Sequence, residues 1–348
     1  MKQHQLNEEI RRNLKGWTRI VRRYQKPSSR KAAWQIVNTF GPFVGLWTLM
    51  YFAYDYSKLL TLGIAVVAAF FMVRIFIIQH DCGHQSFFKY TWLNNATGVL
   101  CSVFSSIPFR YWATNHNFHH VHSGKLETRD IGDIDTLTVE EYRKLNAWGR
   151  WKYRAFRHPV ILFGIGPAYY LGVVNRLPLA QLRGWRDTLL GLIPNNLLII
   201  GLYVGLGFLL GWAKLFFIQI SVILLFGIIA VWFFYVQHQH EATYKKWSDQ
   251  WDYLISAIRG STYYKLPRLV QWLTGNIGFH HIHHLNSGIP NYNLERCARE
   301  NPIFQKYVTI VGFRDSLKYM GHKLWYEAEE RMITFKEFYR LERANAFA

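Results

Sequence analysis

The sequence is short of cysteine and of acidic residues. Its three cysteines, Cys82, Cys101 and Cys297, are irregularly spaced and form no CxxC. That excludes a disulfide framework, a zinc knuckle and a cysteine-bound iron–sulfur cluster. Only 22 Asp+Glu stand against 41 Lys+Arg, a formal net charge of +19. Such a surplus suits nucleic acid, an anionic lipid surface or an acidic partner. No RNA- or DNA-binding motif is found, so no nucleic-acid partner is expected. Residues 1–33 are polar and basic with no apolar h-region, so no secretory signal peptide is expected either.

Long apolar runs, by contrast, are plentiful. Half of the 348 residues are hydrophobic and 17% are aromatic. Four stretches approach the roughly 20 apolar residues that cross a bilayer: about 34–54, 59–79, 189–212 and 215–236. They are apolar nearly all round, whereas a helix of a soluble bundle would show a polar stripe. Tight turns at Asp55–Lys58 and Ala213–Lys214 predict two helical hairpins. The expected fold is therefore an all-α integral membrane protein, with four transmembrane helices in two hairpins and a cytoplasmic helical cap. Basic residues crowd the N-terminal segment, while each hairpin turn carries one Lys. The excess of positive charge on cytoplasmic loops then places both termini and the long middle segment in the cytoplasm. Arg74, near the cytoplasmic end of the second span, is expected to snorkel to the interface. Residues 92–107 and 158–174 are apolar but short or broken by Gly and Pro, and read as interfacial or re-entrant helices.

Fifteen histidines are distributed unevenly. "HDCGH" supplies His80 and His84 directly after the second span, and "HNFHH" supplies His116, His119 and His120. "HHIHH" repeats that spacing with His280, His283 and His284, and adds His281. Residues three and four apart share a helix face with Cβ atoms about 5–6 Å apart, so each box aims its imidazoles at one point. Eight such ligands exceed what a tetrahedral zinc uses and suit two metals of higher coordination number. An imidazole-rich set fits iron, copper, nickel or zinc better than magnesium or calcium. His238 and His240, just past the fourth span, are further candidates. Asp81 takes the place of the zincin glutamate with a shorter reach, and is expected instead to accept a hydrogen bond from a ligand imidazole. His281 and His122 are expected beside the centre or exposed, and His4, His158 and His322 outside it. The acidic stretch with Asp130, Asp133 and Asp135 lacks the spacing of a calcium loop and reads as a structural loop near the site.

The three boxes, with "HDCGHQSF", "YWATNHNFHH", "GDIDTLT" and "GNIGFHHIHHL", resemble the membrane fatty acid desaturase family, most closely its acyl-lipid omega-6 (delta-12) members of bacterial and plastid type. The resemblance runs from about residue 34 to 293. It divides the chain into a basic arm (1–33), a desaturase domain (34–293) and a cytoplasmic tail (294–348). It implies two iron ions as cofactor and O2 as co-substrate, which together remove two hydrogens from the acyl chain of a membrane lipid, oleoyl at the delta-12 position. Carried over by position, His80, His84, His116, His119, His120, His280, His283 and His284 would be iron ligands, with His238 at a ninth position. An unactivated methylene offers neither an acidic proton nor an electrophile, so the cofactor carries the chemistry and no acid–base or nucleophilic catalytic residue is expected. The chain must supply an apolar tunnel, for which Trp112, Phe118, Trp232 and Tyr235 are the candidates, with Phe233 and Phe234 beside them; the other reading of these aromatics is an interfacial belt or packing. Each double bond consumes two electrons, and the sequence contains no fused haem motif. A separate donor, ferredoxin or cytochrome b5, is implied, and the basic face either docks it or simply follows the positive-inside rule and attracts anionic lipid. The alternative on the same scaffold is a di-iron hydroxylase or ketolase acting on acyl, alkane or carotenoid substrates. A metal transporter would need polar residues along its spans, where Asn195, Asn196, Gln219 and Ser221 are the nearest candidates.

Overall fold

In the computed structural model, which describes residues 2–344, each of the four apolar runs forms one long helix. A short N-terminal helix, α1 (Lys2–Asn13), comes first. Ser28 then caps α2 (Ser29–Tyr56) by accepting the Lys31 N–H, and Ser57 caps α3 (Lys58–Gly83) by accepting the Leu60 N–H. Such side-chain oxygens satisfy donors that a helix start leaves free. After α4 (Thr91–Ser105), α5 (Phe109–His122) and α6 (Ala147–Phe156) come the other two long helices, α7 (Trp185–Leu210) and α8 (Trp212–His238). The long helices overrun the apolar windows at most ends, because backbone pairing continues into the polar flanks. All four are long and apolar enough to cross a membrane. Their outward faces stay apolar, with Leu59 80%, Phe208 79% and Leu209 77% exposed. Water would not tolerate that surface; lipid would.

The two tight turns lie side by side. Lys214 pairs with Asp55, and the Tyr51 hydroxyl donates to the Leu210 carbonyl at 3.3 Å. The histidine-bearing ends of α3 and α8 are therefore together at the opposite end.

Between them, α4 and α5 fold back on each other. Phe104 sits edge-on to Phe40 and Phe43 of α2, at 5.1 and 5.8 Å, which places the apex well along α2. The chain reverses at Ser106, whose φ is 57°. A break among packed helices must have its buried polar groups satisfied by protein, and here the long helices and Arg176 do so. Gln79 Nε2 donates to the Ile107 carbonyl (2.9 Å) and Gln79 Oε1 accepts from Ser105 Oγ (2.7 Å). Asn195 Oδ1 accepts the Phe109 N–H (2.9 Å) and the Ser102 hydroxyl (3.0 Å). Arg176 donates to the Ser106 carbonyl and to Asn196. Of the polar residues of the spans, Asn195 and Asn196 are thus engaged at this apex, while Gln219 bonds with Trp47 and Tyr203 and Ser221 donates to the Phe217 carbonyl of its own helix. Residues 160–174 form a helix of largely π-helical turns. They pack so closely on α8 that a Cβ at Gly227 would lie 2.9 Å from Pro167.

Arg74 does not snorkel. Its side chain is buried, with Nε donating to Thr39 at 3.0 Å and a second nitrogen to the Trp272 carbonyl. Its guanidinium also covers the Trp272 ring at 4.0 Å. Neutral acceptors and an indole face hold the charge inside the protein.

The chain is mostly helical, yet among the described residues four short strands accompany the helices. β1 (Thr262–Tyr264) pairs parallel with β2 (Thr309–Val311), and β3 (His322–Tyr326) pairs antiparallel with β4 (Arg331–Thr334). Runs of three to five residues are too short to leave a readable alternation. At the same end, α1 and the segment after it bury Ile10, Leu14, Val21 and Tyr24 against Ile258, Ile282 and Leu294. The last strands and Phe338 pack on Val139, Tyr142 and Tyr153.

Candidate metal centre

Four elements bring the histidines together. α3 carries His80 in its last turn and is followed at once by His84, α5 carries His116, His119 and His120, α8 ends at His238, and α9 (His280–Leu285) carries His280, His283 and His284. One group, His80, His84, His116, His120 and His283, has ligand nitrogens all within 4.8 Å of one another. A second, His119, His238 and His284, meets the same limit. His280 joins the second, its Nε2 lying 2.9 Å from that of His238 and 3.0 Å from that of His284. The groups touch, with the His120 and His284 rings stacked at 4.2 Å. His80, His119, His120, His238 and the α9 histidines are buried, while His84 and His116 form a partly exposed edge.

The nitrogens converge in a way that hydrogen bonding alone does not satisfy. His238 Nε2 faces both His119 Nε2 (3.3 Å) and His280 Nε2 (2.9 Å), and His120 Nε2 faces both His116 Nε2 (3.0 Å) and His283 Nε2 (2.9 Å). A neutral ring nitrogen has one hydrogen or one lone pair, not both. His84 Nε2 is buried with no partner at all. A cation at each convergence answers every lone pair, so these residues fit two metal ions.

Second nitrogens set the tautomers. His238 Nδ1 lies 3.1 Å from the Gly260 carbonyl, which accepts its hydrogen and leaves Nε2 with a lone pair. His80 Nδ1 lies 3.0 Å from Asp81 Oδ1. Asp81 is fixed in turn by Asn291, whose backbone N–H (2.6 Å) and side-chain amide (2.8 Å) both donate to Oδ2. Gln35 then donates to Asn291 at 3.0 Å.

Burial pushes the imidazoles of His84, His116, His120, His280, His283 and His284 well below the usual histidine range, and neighbouring imidazoles add to it. For His119 burial, with His238 beside it, brings the value to about 3. These rings are neutral near pH 7, the form in which imidazole binds metal.

Asp133 is buried too, 3.6 Å from Lys245. Burial raises its carboxyl, but Lys245, His238 and His119 outweigh that and hold it below the ordinary range. The loop lies against α5, because a Cβ at Gly132 would stand 3.0 Å from that of His119.

The aromatic candidates separate. Trp112 stacks on His116 at 4.5 Å, and Phe234 lies 5.4 Å from His119 and 5.1 Å from His238. Phe118 instead stacks on His122 at 3.9 Å. Trp232 donates to the Tyr264 hydroxyl at 3.2 Å, and Phe233 packs on Tyr264 at 5.2 Å. Tyr235 donates to the Tyr319 and His322 carbonyls at 2.9 and 3.0 Å. His240 is fully buried beside Tyr319 and His281 beside Tyr263, both outside the two groups. His122 binds the Phe118 carbonyl, His4 and His158 are exposed, and His322 is partly buried. Sequence reasoning did not single out Asn291, Gly260 or Lys245. Only the "NYN" shortly after the third box hinted at the first.

Known proteins resemble this chain along most of its length. The sequence model of the family described as "Fatty acid desaturase" matches residues 57–313. A Bacillus subtilis protein named "Fatty acid desaturase" is 40% identical over 94% of this chain and 93% of its own. The "sn-1 oleoyl-lipid 12-desaturase" of a Picosynechococcus species is 25% identical, covering 76% of this chain and 77% of its own. The "sn-1 acyl-lipid omega-3 desaturase (ferredoxin)" of a Nostoc species is 27% identical, covering 72% and 68%.

Proposed function

The chain belongs to the fatty acid desaturase family, an oxidoreductase with apolar membrane-type helices, and from that premise we propose that it desaturates acyl chains of membrane lipid at a di-iron centre. The ligands are His80, His84, His116, His120 and His283 for one iron, and His119, His238, His280 and His284 for the other. The observation that carries this reading is the convergence of nine imidazoles in two touching groups with no carboxylate among them. Bound there, two irons would supply, with O2, the oxidant that takes hydrogen from an unactivated methylene. The chain's own part is to bind and orient. Asp81 and the Gly260 carbonyl hold His80 and His238 in the metal-binding tautomer. Trp112 and Phe234 give the centre apolar neighbours against which a methylene chain can lie. The partly exposed edge at His84 and His116 is where that chain approaches.

The substrate is oleoyl lipid and the new bond delta-12, a position supported by the names of relatives near 25% identity. The electron donor is a separate ferredoxin or cytochrome b5; a relative's printed name includes ferredoxin. The chain crosses the membrane four times with the histidine end and both termini in the cytoplasm, supported by the basic residues crowding that end.

The test is the fatty acid profile of a host that makes oleate but no linoleate, expressing wild type or His283→Ala together with a donor. Linoleate with wild type alone is expected. A new double bond elsewhere would keep the reaction and overturn the position, and a hydroxylated product would overturn desaturation.

A further inference from the structure

Away from the histidines of the metal centre, a groove opens between α6, the start of the 160–174 segment and the C-terminal helix α11 (Phe335–Arg343), which follows α10 (Asn291–Glu300). Its volume is about 690 Å3, within the range of small-molecule sites, ~300–1,000 Å3. The walls are mostly carbon, yet Arg150, Arg154, Arg157, His158 and Lys323 all contribute to the lining.

The three arginines and the lysine are poorly answered by the protein. Arg150 pairs with Glu342 at 3.2 Å. Arg157 donates only to neutral groups, among them the Asp135 and His322 carbonyls. Lys323 is buried and donates to the Arg157 carbonyl at 2.6 Å, with no ion pair to a carboxylate among the described residues. Arg154 has no hydrogen bond or ion pair among the described residues, and lies 5.6 and 5.7 Å from the Phe335 and Tyr339 rings. A buried ammonium held only by a carbonyl is costly. Burial and Arg157 accordingly pull the Lys323 pKa to about 7.

The surroundings of the groove are amphipathic. Trp148 and Trp151 of α6 stack at 4.7 Å and are 60% and 58% exposed, and beyond them Val160 is 67% exposed. Exposed Trp beside a basic helix marks the level where headgroups meet acyl chains. A ligand for this place carries an anion and an apolar tail.

We propose that this groove is a binding site for an anionic phospholipid, with the phosphodiester at Arg154 and Lys323 and an acyl chain along the carbon-lined wall. It lies apart from the metal centre. The proposal rests on the membrane placement given above. Its test reads lipid retention rather than desaturation, so failure of the one is distinguishable from failure of the other.

The iron-loaded full chain, purified in neutral detergent, is titrated with dioleoylphosphatidylglycerol or dioleoylphosphatidylcholine, and bound lipid is counted by native mass spectrometry. The anionic lipid is expected to be retained about tenfold more tightly, as befits a charge-assisted guanidinium–phosphate contact. Arg154→Glu should abolish that preference. Ala147→Trp, which fills the groove and leaves its charges in place, should weaken retention of both lipids. Equal retention of the two lipids by wild type, or an unchanged preference in Arg154→Glu, would overturn the site. Displacement of the lipid by millimolar inorganic phosphate would overturn the lipid in favour of a bare phosphate. Oleate competing as well as the phospholipid would overturn the phosphodiester.

Discussion

His80 shows how a single ring is readied for a metal. Its Nδ1 meets Asp81, and Asp81 is held by two donors from Asn291. Asp81→Asn would set an amide against those donors and loosen the His80 tautomer. Loss of such a partner typically costs 10–100-fold in metal affinity. We expect iron affinity to fall by about that factor in a chelator competition, with the helical content unchanged; unaltered affinity would remove Asp81 from the centre. Titration offers a second prediction. His119 and His281 are held by burial at about 3, against the usual 6.5. The folded chain therefore takes up these protons only near pH 3, whereas the unfolded chain takes them up near 6.5. Stability of the iron-free protein is full above about 6.5 and falls as pH drops from there toward 3. Thermal unfolding across that range checks it, and a midpoint independent of pH would contradict it.

At the scale of elements, α4 and α5 are closely packed where they fold back on each other. A Cβ at Gly98 would stand 2.3 Å from the Phe109 ring, whereas at Gly63 it would meet nothing within 4 Å. Gly98→Ala should destabilise by about 1–3 kcal/mol, the usual cost of overpacking, with Gly63→Ala as the unaffected control. Asn195→Leu removes the acceptor of the Phe109 N–H and the Ser102 hydroxyl. It should cost about the same, since two buried donors lose their partner. The readout is the unfolding midpoint in detergent. Because Phe109 begins the helix that carries the second box, iron content should fall with it. A lower midpoint in Gly63→Ala but not in Gly98→Ala would contradict this packing.

For the whole molecule, the two turns at one end and the histidines at the other define a polarity that labelling can read. The native cysteines, Cys82, Cys101 and Cys297, are all buried, so an introduced thiol reports alone. Tyr56, 86% exposed beside the first turn, and Arg12, exposed on α1, suit the purpose. Tyr56→Cys should react with an impermeant maleimide in intact cells, and Arg12→Cys only after permeabilisation. The reverse pattern would turn the protein over in the membrane and put the centre outside.

Period and spacing carried much of this in the sequence. All-round apolar runs of about 20 residues fix four long helices wherever they sit, and H-x-x-H-H fixes which imidazoles share a helix face. Both are local properties, written within one or two turns. Which imidazoles meet across helices is not local. The division of nine histidines into two groups, with His120 and His283 in one and His119 and His284 in the other, depends on how α3, α5, α8 and α9 lean together. The same holds for Arg74, whose acceptors lie on α2 and at Trp272, and for Asp81, which reaches across 210 residues to Asn291. Close packing alone brings such partners within hydrogen-bond reach, and close packing is a property of the folded chain.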